Sequence, residues 1–293
     1  SFVYPCFYYI TPANIRLFFL CGIALKNFAN KNGMLWKRNL RYGTCKQATP
    51  AQIGYKDFLY ETQWKNPPSA GRRFLLPNFL EHYFSSREAI YNQCILSICR
   101  KLSFDNCRVS DISIDERRIL AEFMSNILLR HPIMISLMKY DEGSQNDIYG
   151  FSIDELNMWF GSETESVRAF IEKCKWLIPR WPDGYFQAVQ GQLENMCLTF
   201  FASKNAEFIT CDWPVIWVRY EENILCLLLP LTPKYCICYN RFFPKENITV
   251  IPDDMVRRYN RLHIEKKFSS ISYLFAHNRE ELELLFEKGG DAE

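Results

Sequence analysis

The sequence predicts an α+β fold, in which a helical middle section packs on a mostly antiparallel sheet formed by N-terminal and C-terminal strands. Short apolar runs between turn residues near both ends of the chain indicate strands, whereas the middle carries apolar residues at helical spacing. With 293 residues, 48% of them hydrophobic and 16% aromatic, the chain has ample material for a core. We therefore predict one domain over residues 1–293, with 77–195 as the helical section and 196–278 as an antiparallel meander plus a helix.

The N-terminal part is predicted to contain strands and no membrane span. Asn32-Gly33 lies between short apolar runs, which is a hairpin signal. Thr49 before Pro50 resembles a helix cap with proline at the first helical position. The apolar run from Leu17 to Leu25 is shorter than the ~20 residues that cross a bilayer. We expect a buried helix or strand there.

Long helices are predicted over residues 77–101 and about 114–140, and a further helix over about 185–195. Three Ser-x-x-Glu capping boxes mark helix starts: Ser113/Glu116, Ser152/Glu155 and Ser162/Glu165. After residue 196 the pattern changes to short apolar runs that read as a meander: CLTFFAS, EFIT, PVIWVRY, ILCLLLPL and YCICYN. A basic amphipathic helix then follows Pro252, ISYLFA is predicted to return as a strand, and REELELLFEK as a last helix.

The charge and the cysteine spacing limit the classes of protein to which this chain can belong. The net charge of +2 provides no general attraction to nucleic acid or anionic membrane. The twelve cysteines contain no C-x-x-C pair, and the four histidines stand alone, so a zinc site is not indicated. We expect reduced, structural cysteines and a cytosolic location. The sequence also lacks the phosphate-binding, dinucleotide-binding, serine-hydrolase and zinc-protease motifs.

Several segments together resemble the bacterial domain-of-unknown-function family 4238. Residues 208–215 are similar to its F-x-T-S-D-N-P-V signature, with Cys211 and Trp213 in place of the usual serine and asparagine. Residues 229–233 resemble its P-L-S-P segment. Further matches are the glutamates Glu81 and Glu88, the R-x-P of Arg130-His131-Pro132, and Asn260. The resemblance covers about residues 24–278 and brings no established activity, and Phe2 stands where the family's opening stretch has a histidine.

Glu81, Glu88 and Asp212 are the candidate catalytic residues, and Arg130 is the candidate substrate-binding residue. Glu81 and Glu88 lie nearly two helical turns apart, so both point to one edge of the first long helix. Such carboxylates can bind a divalent cation or transfer protons. In the alternative reading, Arg130 pairs with the glutamates, and Asp212 bonds the backbone of its own turn.

Arg257, Arg258 and Arg261 are the candidate contacts for nucleic acid, because they lie on the basic helix after Pro252. Acidic residues interrupt these charges, so a solvated helix face is the alternative. Two functions therefore stay open. The first is a carboxylate-based hydrolase, with or without a divalent metal ion, that acts on a phosphate-containing or nucleotide substrate. The second is a non-catalytic binding module whose acidic residues form a structural network.

Overall fold

The computed structural model describes residues 25–53, 79–103, 107–130, 174, 176–179, 185–220, 223–241, 247–267 and 271–286. The strands in this part of the chain are β1 (Leu35–Asn39), β2 (Cys45–Ala48), β3 (Cys197–Ser203), β4 (Thr210–Cys211), β5 (Ile216–Tyr220), β6 (Asn223–Pro230), β7 (Tyr235–Asn240), β8 (Asn247–Ile251) and β9 (Tyr273–Ala276). The helices are α1 (Phe79–Leu102), α2 (Ile114–Leu129), α3 (Tyr185–Glu194), α4 (Asp253–Lys267) and α5 (Arg279–Leu284).

The strands form two mostly antiparallel sheets, which confirms the α+β class. The four-stranded sheet has the order β2-β1-β9-β4 and joins N-terminal to C-terminal strands, as the sequence predicts. The five-stranded sheet has the order β5-β6-β7-β3-β8 and belongs wholly to the C-terminal part of the chain. Its edge strand β8 runs parallel to β3. β8 contains only exposed and half-buried residues, and it was not predicted as a strand from the sequence.

The five-stranded sheet lies between two helical layers. Side chains of α1, α2 and α3 pack on one face, where they form the largest core cluster, with Ile95, Phe123 and Leu193 among its members. α4 covers the other face through Val256 and Tyr259. Successive residues of β6 divide between these cores, since Leu227 and Leu229 face α1–α3 whereas Leu228 faces α4. A sheet buried on both faces explains the continuous apolar run of β6.

The four-stranded sheet also has two distinct faces. One face carries Cys211 and Leu274 and packs against Ile264 of α4 and Leu282 of α5. The opposite face carries Leu35, Ala48 and Phe275. Residues directly opposite in the register share a face, so Lys37, Phe275 and Thr210 lie together on the second face. The candidate site is built on this second face.

Two local predictions at the N-terminal sheet and in α2 need correction. Asn32-Gly33 does form a turn, with Gly33 at φ 73°. The turn does not join two strands, because β1 follows it and the residues before it are helical. The β1–β2 hairpin instead turns at residues 40–44, where Gly43 has φ 65°. α2 ends at Leu129 instead of continuing toward Tyr140, since Pro132 cannot continue a helix and restricts the residue before it.

Other predictions agree with the structure or lie outside it. Ser113 and Glu116 form the predicted capping box, with hydrogen bonds of 3.2 and 2.8 Å. Thr49-Pro50 opens only a 3-10 turn, Pro50–Gln52. The other two capping boxes and the apolar N-terminal run lie outside the described residues. Across the described part of the chain, none of the ten cysteines forms a disulfide bond, and no helix has the length and apolar character needed to cross a membrane.

Candidate functional site

Asp212 lies immediately after β4 and is positioned by β9. Its backbone N–H donates to the carbonyl of Tyr273 at 3.3 Å, which extends the β4–β9 pairing by one residue. Its Oδ2 accepts a hydrogen bond of 2.9 Å from the N–H of Ser272. The carboxylate therefore bonds the residue that precedes β9, and not the residue two positions on as the structural alternative assumed. That residue is Pro214, which has no N–H to donate.

The Asp212 carboxyl group is buried and only partly hydrogen-bonded. The residue is 7% exposed, and its Oδ1 has no hydrogen-bond partner in the described residues. Burial raises its pKa from the ordinary 3.8 to about 6, although backbone N–H groups of Ser272, Tyr273 and Asp212 itself, together with the charge of Lys37, oppose the change. A carboxyl group with such a pKa can both accept and release a proton near neutral pH.

Two lysines share the sheet face of Asp212, which we call the lysine face and define by Asp212, Tyr273, Lys37 and Lys46. Lys37 in β1 is directly opposite Lys46 in β2. The Lys37 ammonium lies 3.7 Å from the centroid of the Tyr273 ring, and Tyr273 is the residue whose carbonyl binds Asp212. Partial burial lowers the Lys37 pKa, the charge of Lys46 lowers it further, and Asp212 opposes both.

A buried Cys–His contact stands behind Asp212, on the opposite face of β4. The Cys211 Sγ and the His263 Nδ1 are 3.4 Å apart, and both residues are fully buried. The His263 ring also packs edge-on against Tyr259, with centroids 5.4 Å apart. This contact attaches β4 to α4. Both side chains lie in the core between β4 and α4.

Asn260 of α4 holds the segment that leads into β4. Its Nδ2 donates to the Glu207 carbonyl at 2.8 Å, and its Oδ1 accepts from the Ile209 N–H at 3.1 Å. The side chain is 1% exposed. Because Asn260 satisfies one backbone acceptor and one donor at once, it aligns the strand that ends at Asp212.

Glu88 and Arg130 contact each other between α1 and α2. The Glu88 Oε1 and Arg130 Nη1 atoms are 3.2 Å apart, and the Arg130 side chain is 1% exposed. The guanidinium also lies 4.0 Å from the centroid of the Phe84 ring and bonds the Asn126 Oδ1 at 3.3 Å. This arrangement matches the reading in which the arginine and the glutamate form a structural ion pair.

The remaining sequence candidates are placed as follows. Glu81 lies in the first turn of α1, and its side chain is outside the described part. Arg257, Arg258 and Arg261 are exposed on α4, where Arg257 lies near the carboxylates of Asp253 and Glu281. Within the described residues, no three His, Cys, Asp or Glu side chains form a group that could hold a metal ion.

Lys37, Lys46 and His263 were not found from the sequence. The alternating pattern of LWKRN indicates which side chains share a face of β1, but not which residues of β9 and β2 lie opposite. His263 is a lone histidine on an otherwise ordinary amphipathic helix. No local signal therefore marks these three residues as neighbours of Asp212.

The fold and this site define an α+β protein that carries a buried aspartate at the end of a short strand, with two lysines on the same sheet face. The chain belongs to the family described as Protein of unknown function (DUF4238), whose profile matches residues 23–280, which is most of the chain. The matched region includes Asp212, both lysines, Asn260, Glu88 and Arg130. No curated protein and no solved structure gives a significant match.

Proposed function

We propose that this protein is a hydrolase of a phosphate-containing or nucleotide substrate, in which Asp212 transfers the proton. The observation that carries the proposal is the state of the Asp212 carboxyl group. One oxygen is anchored by the Ser272 N–H, the other has no partner in the described residues, and burial raises the pKa to about 6. An anchored carboxyl whose second oxygen makes no hydrogen bond with the described residues suits general acid–base catalysis.

In the proposed reaction a water molecule attacks phosphorus, and the Asp212 carboxylate accepts its proton. The bond from phosphorus to the leaving oxygen breaks, and the proton passes to that oxygen, so the carboxylate is regenerated. The ammonium of Lys37 is close enough to influence the Asp212 pKa, and it would offset the negative charge of the phosphoryl group. Glu88 and Arg130 then support the helical layer instead of the chemistry.

The test is the Asp212→Asn variant of the full chain, assayed on phosphomonoesters, phosphodiesters and nucleoside triphosphates. We expect turnover to fall by about 100-fold or more, because the amide cannot accept a proton. The melting temperature should not fall, since the change is isosteric. Asp254→Asn on the exposed part of α4 is the matched control and should keep full turnover.

The pH dependence gives a second readout of the same proposal. The pH–rate profile of the native protein should show an ionisation near pH 6 that the Asp212→Asn variant lacks. Turnover that survives in this variant would overturn the proposal. A melting temperature that falls so far that unfolding accounts for the lost turnover would overturn it too.

A divalent metal ion is an optional part of the proposal. The Asp212 Oδ1 is a carboxylate oxygen, which is a ligand that Mg²⁺ and Mn²⁺ prefer. Phosphate oxygens of the substrate would provide further ligands. Chelation tests the ion separately from the proton transfer. Turnover that is lost with a chelator and restored by Mg²⁺ identifies a metal-dependent hydrolase, whereas unaffected turnover leaves Asp212 to act without one.

A non-catalytic binding module is the second candidate, and the α1–α2 interface favours it. Glu88 is paired with Arg130, and the Glu122 carboxylate accepts hydrogen bonds from Arg87 and Tyr91 at 2.7 and 2.8 Å. Carboxylates paired in this way form a structural network. For either function we propose a reducing compartment such as the bacterial cytosol, which is supported by the ten cysteines of the described residues, none of which forms a disulfide bond.

A further inference from the structure

The directly opposed lysines Lys37 and Lys46 mark a second feature of the lysine face. We propose that they bind a chain of two or three phosphates, one end of which lies beside Asp212. The assignment of this anion as part of the substrate rests on the proposed function, whereas anion binding itself is independent of it.

The first support is the register of the β1–β2 hairpin. Lys37 and Lys46 are direct cross-strand partners, so their Cβ atoms lie about 5 Å apart on one sheet face. Like charges in this position destabilise a sheet. Neither ammonium forms an ion pair within the described residues, although Lys46 is exposed and free to turn away. An anion between the two ammonium groups would remove the repulsion.

The second support is the position of the Lys37 side chain. Its ammonium lies over the Tyr273 ring at 3.7 Å, and its pKa is lowered by burial and by Lys46. A half-buried ammonium whose cross-strand neighbour is another lysine, with no ion-pair partner among the described residues, is poorly compensated. This ammonium group is suited to donate hydrogen bonds to a phosphate oxygen.

The third support is the Asp212 Oδ1 atom, which marks the other end of the site. This atom is buried and has no hydrogen-bond partner among the described residues, and Asp212 as a whole is 7% exposed. From β2 to β4 the sheet order crosses three strand spacings, about 14 Å. A single phosphate is too small to contact both ends. A diphosphate or triphosphate is longer, and the extended side chains of Lys37 and Lys46 shorten the distance that it must span to Asp212.

The experiment is calorimetric titration of the full chain with inorganic tripolyphosphate, and with orthophosphate as the short probe. We expect one site per chain for tripolyphosphate and binding at least tenfold weaker for orthophosphate. The double variant Lys37→Met/Lys46→Met should lose tripolyphosphate affinity by at least tenfold. Its melting temperature without ligand should not fall, because the substitution removes a repulsion. Lys204→Met/Lys234→Met is the matched control, since both lysines are exposed and should not contribute.

A second arm separates the two sources of a phosphate chain. Equal affinity for tripolyphosphate and for adenosine triphosphate identifies the phosphate chain alone as the ligand, whereas tighter binding of the nucleoside triphosphate identifies a nucleotide. If the Lys37→Met/Lys46→Met protein fails to fold, Lys46→Gln on the exposed strand β2 replaces it, with weaker binding expected. Unchanged affinity in the lysine variants, or no binding by the native chain at millimolar ligand, would overturn the inference.

The two proposals fail separately. If Asp212→Asn keeps turnover while the lysine variant loses tripolyphosphate binding, the proposed proton transfer is wrong and the anion site stands. If Asp212→Asn abolishes turnover while the lysine variant binds tripolyphosphate normally, the anion site is wrong and the hydrolase proposal stands.

Discussion

At the scale of single residues, Asp212 shows how burial and hydrogen bonding compete. Desolvation disfavours the carboxylate, whereas the Ser272 N–H and the Lys37 charge favour it, and desolvation is the larger effect. An aspartate that only capped its own turn would keep both oxygens near solvent or backbone donors. The Asp212 Oδ1 is buried and makes no hydrogen bond with the described residues, which is the physical reason for treating this residue as a site and not as a turn.

The raised pKa of Asp212 predicts a stability effect with a definite sign. Its pKa in the folded protein, about 6, lies above the ordinary 3.8, so the folded state holds the proton more strongly than the unfolded state. The free energy of unfolding should therefore rise as the pH falls from about 6 to about 4. The whole difference amounts to about 3 kcal/mol, at ~1.4 kcal/mol per pKa unit.

The measurement is the free energy of unfolding in urea between pH 4 and 8, for the native chain and for Asp212→Asn. Subtracting the two curves cancels the contributions of the other acidic residues. A difference that is flat across pH 4–6 would show that the pKa of Asp212 is not raised.

At the scale of elements, the ion pairs of α1 and α2 differ greatly in burial. The Arg130–Glu88 pair has side chains that are 1% and 19% exposed, whereas Arg118 and Asp115 on the surface of α2 are 58% and 87% exposed. Water screens the second pair and scarcely reaches the first. The position of a charge relative to the core thus decides whether its pair matters for stability.

We expect Arg130→Met to destabilise the protein by about 3 kcal/mol, because it leaves Glu88 without its buried partner. Arg118→Met is the matched control on the same helix and should cost less than about 1 kcal/mol. Urea denaturation of both variants measures the difference. Equal costs would show that the α1–α2 interface does not depend on the buried pair.

Local signals in the sequence predicted where helices and strands start. The ends of these elements and the pairing of the strands were harder to predict. The Ser113/Glu116 box predicted the start of α2, because a capping box involves only four consecutive residues. The Asn32-Gly33 turn was recognised, but the assumption that it joined two strands was wrong, since pairing depends on what lies next to each segment in space. For the same reason the sheet of β4 could not be read from two residues, Thr210 and Cys211.

At the scale of the whole molecule, α4 connects the two sheets. It packs on the five-stranded sheet through Val256 and Tyr259, and it reaches β4 through Asn260 and His263. The segment between β3 and β4 passes from one sheet to the other, and Asn260 binds its backbone at two points. The position of Asp212 therefore depends on a residue of another element, far away in sequence.

Asn260→Ala should destabilise the protein by about 2–4 kcal/mol, since it leaves the Ile209 N–H and the Glu207 carbonyl without partners in a buried position. Asn205→Ala is the control, because its hydrogen bond of 3.2 Å to Asp253 is exposed and should contribute little. Thermal and urea denaturation give the comparison. If Asn260→Ala cost no more than the control, α4 would not be what aligns the strand leading to Asp212.

The sequence by itself determined the α+β class, the helical middle section, the capping box of α2 and the choice of Asp212 as a residue of interest. These features rest on periodicity, on short local motifs and on a family signature, all of which are read along the chain. Only the tertiary structure decided that the strands divide into two sheets, that Lys37 lies opposite Lys46 on the face of Asp212, and that Glu88 is paired with Arg130. Strand register, ion pairing and desolvation join residues that are distant in sequence, so no local pattern specifies them.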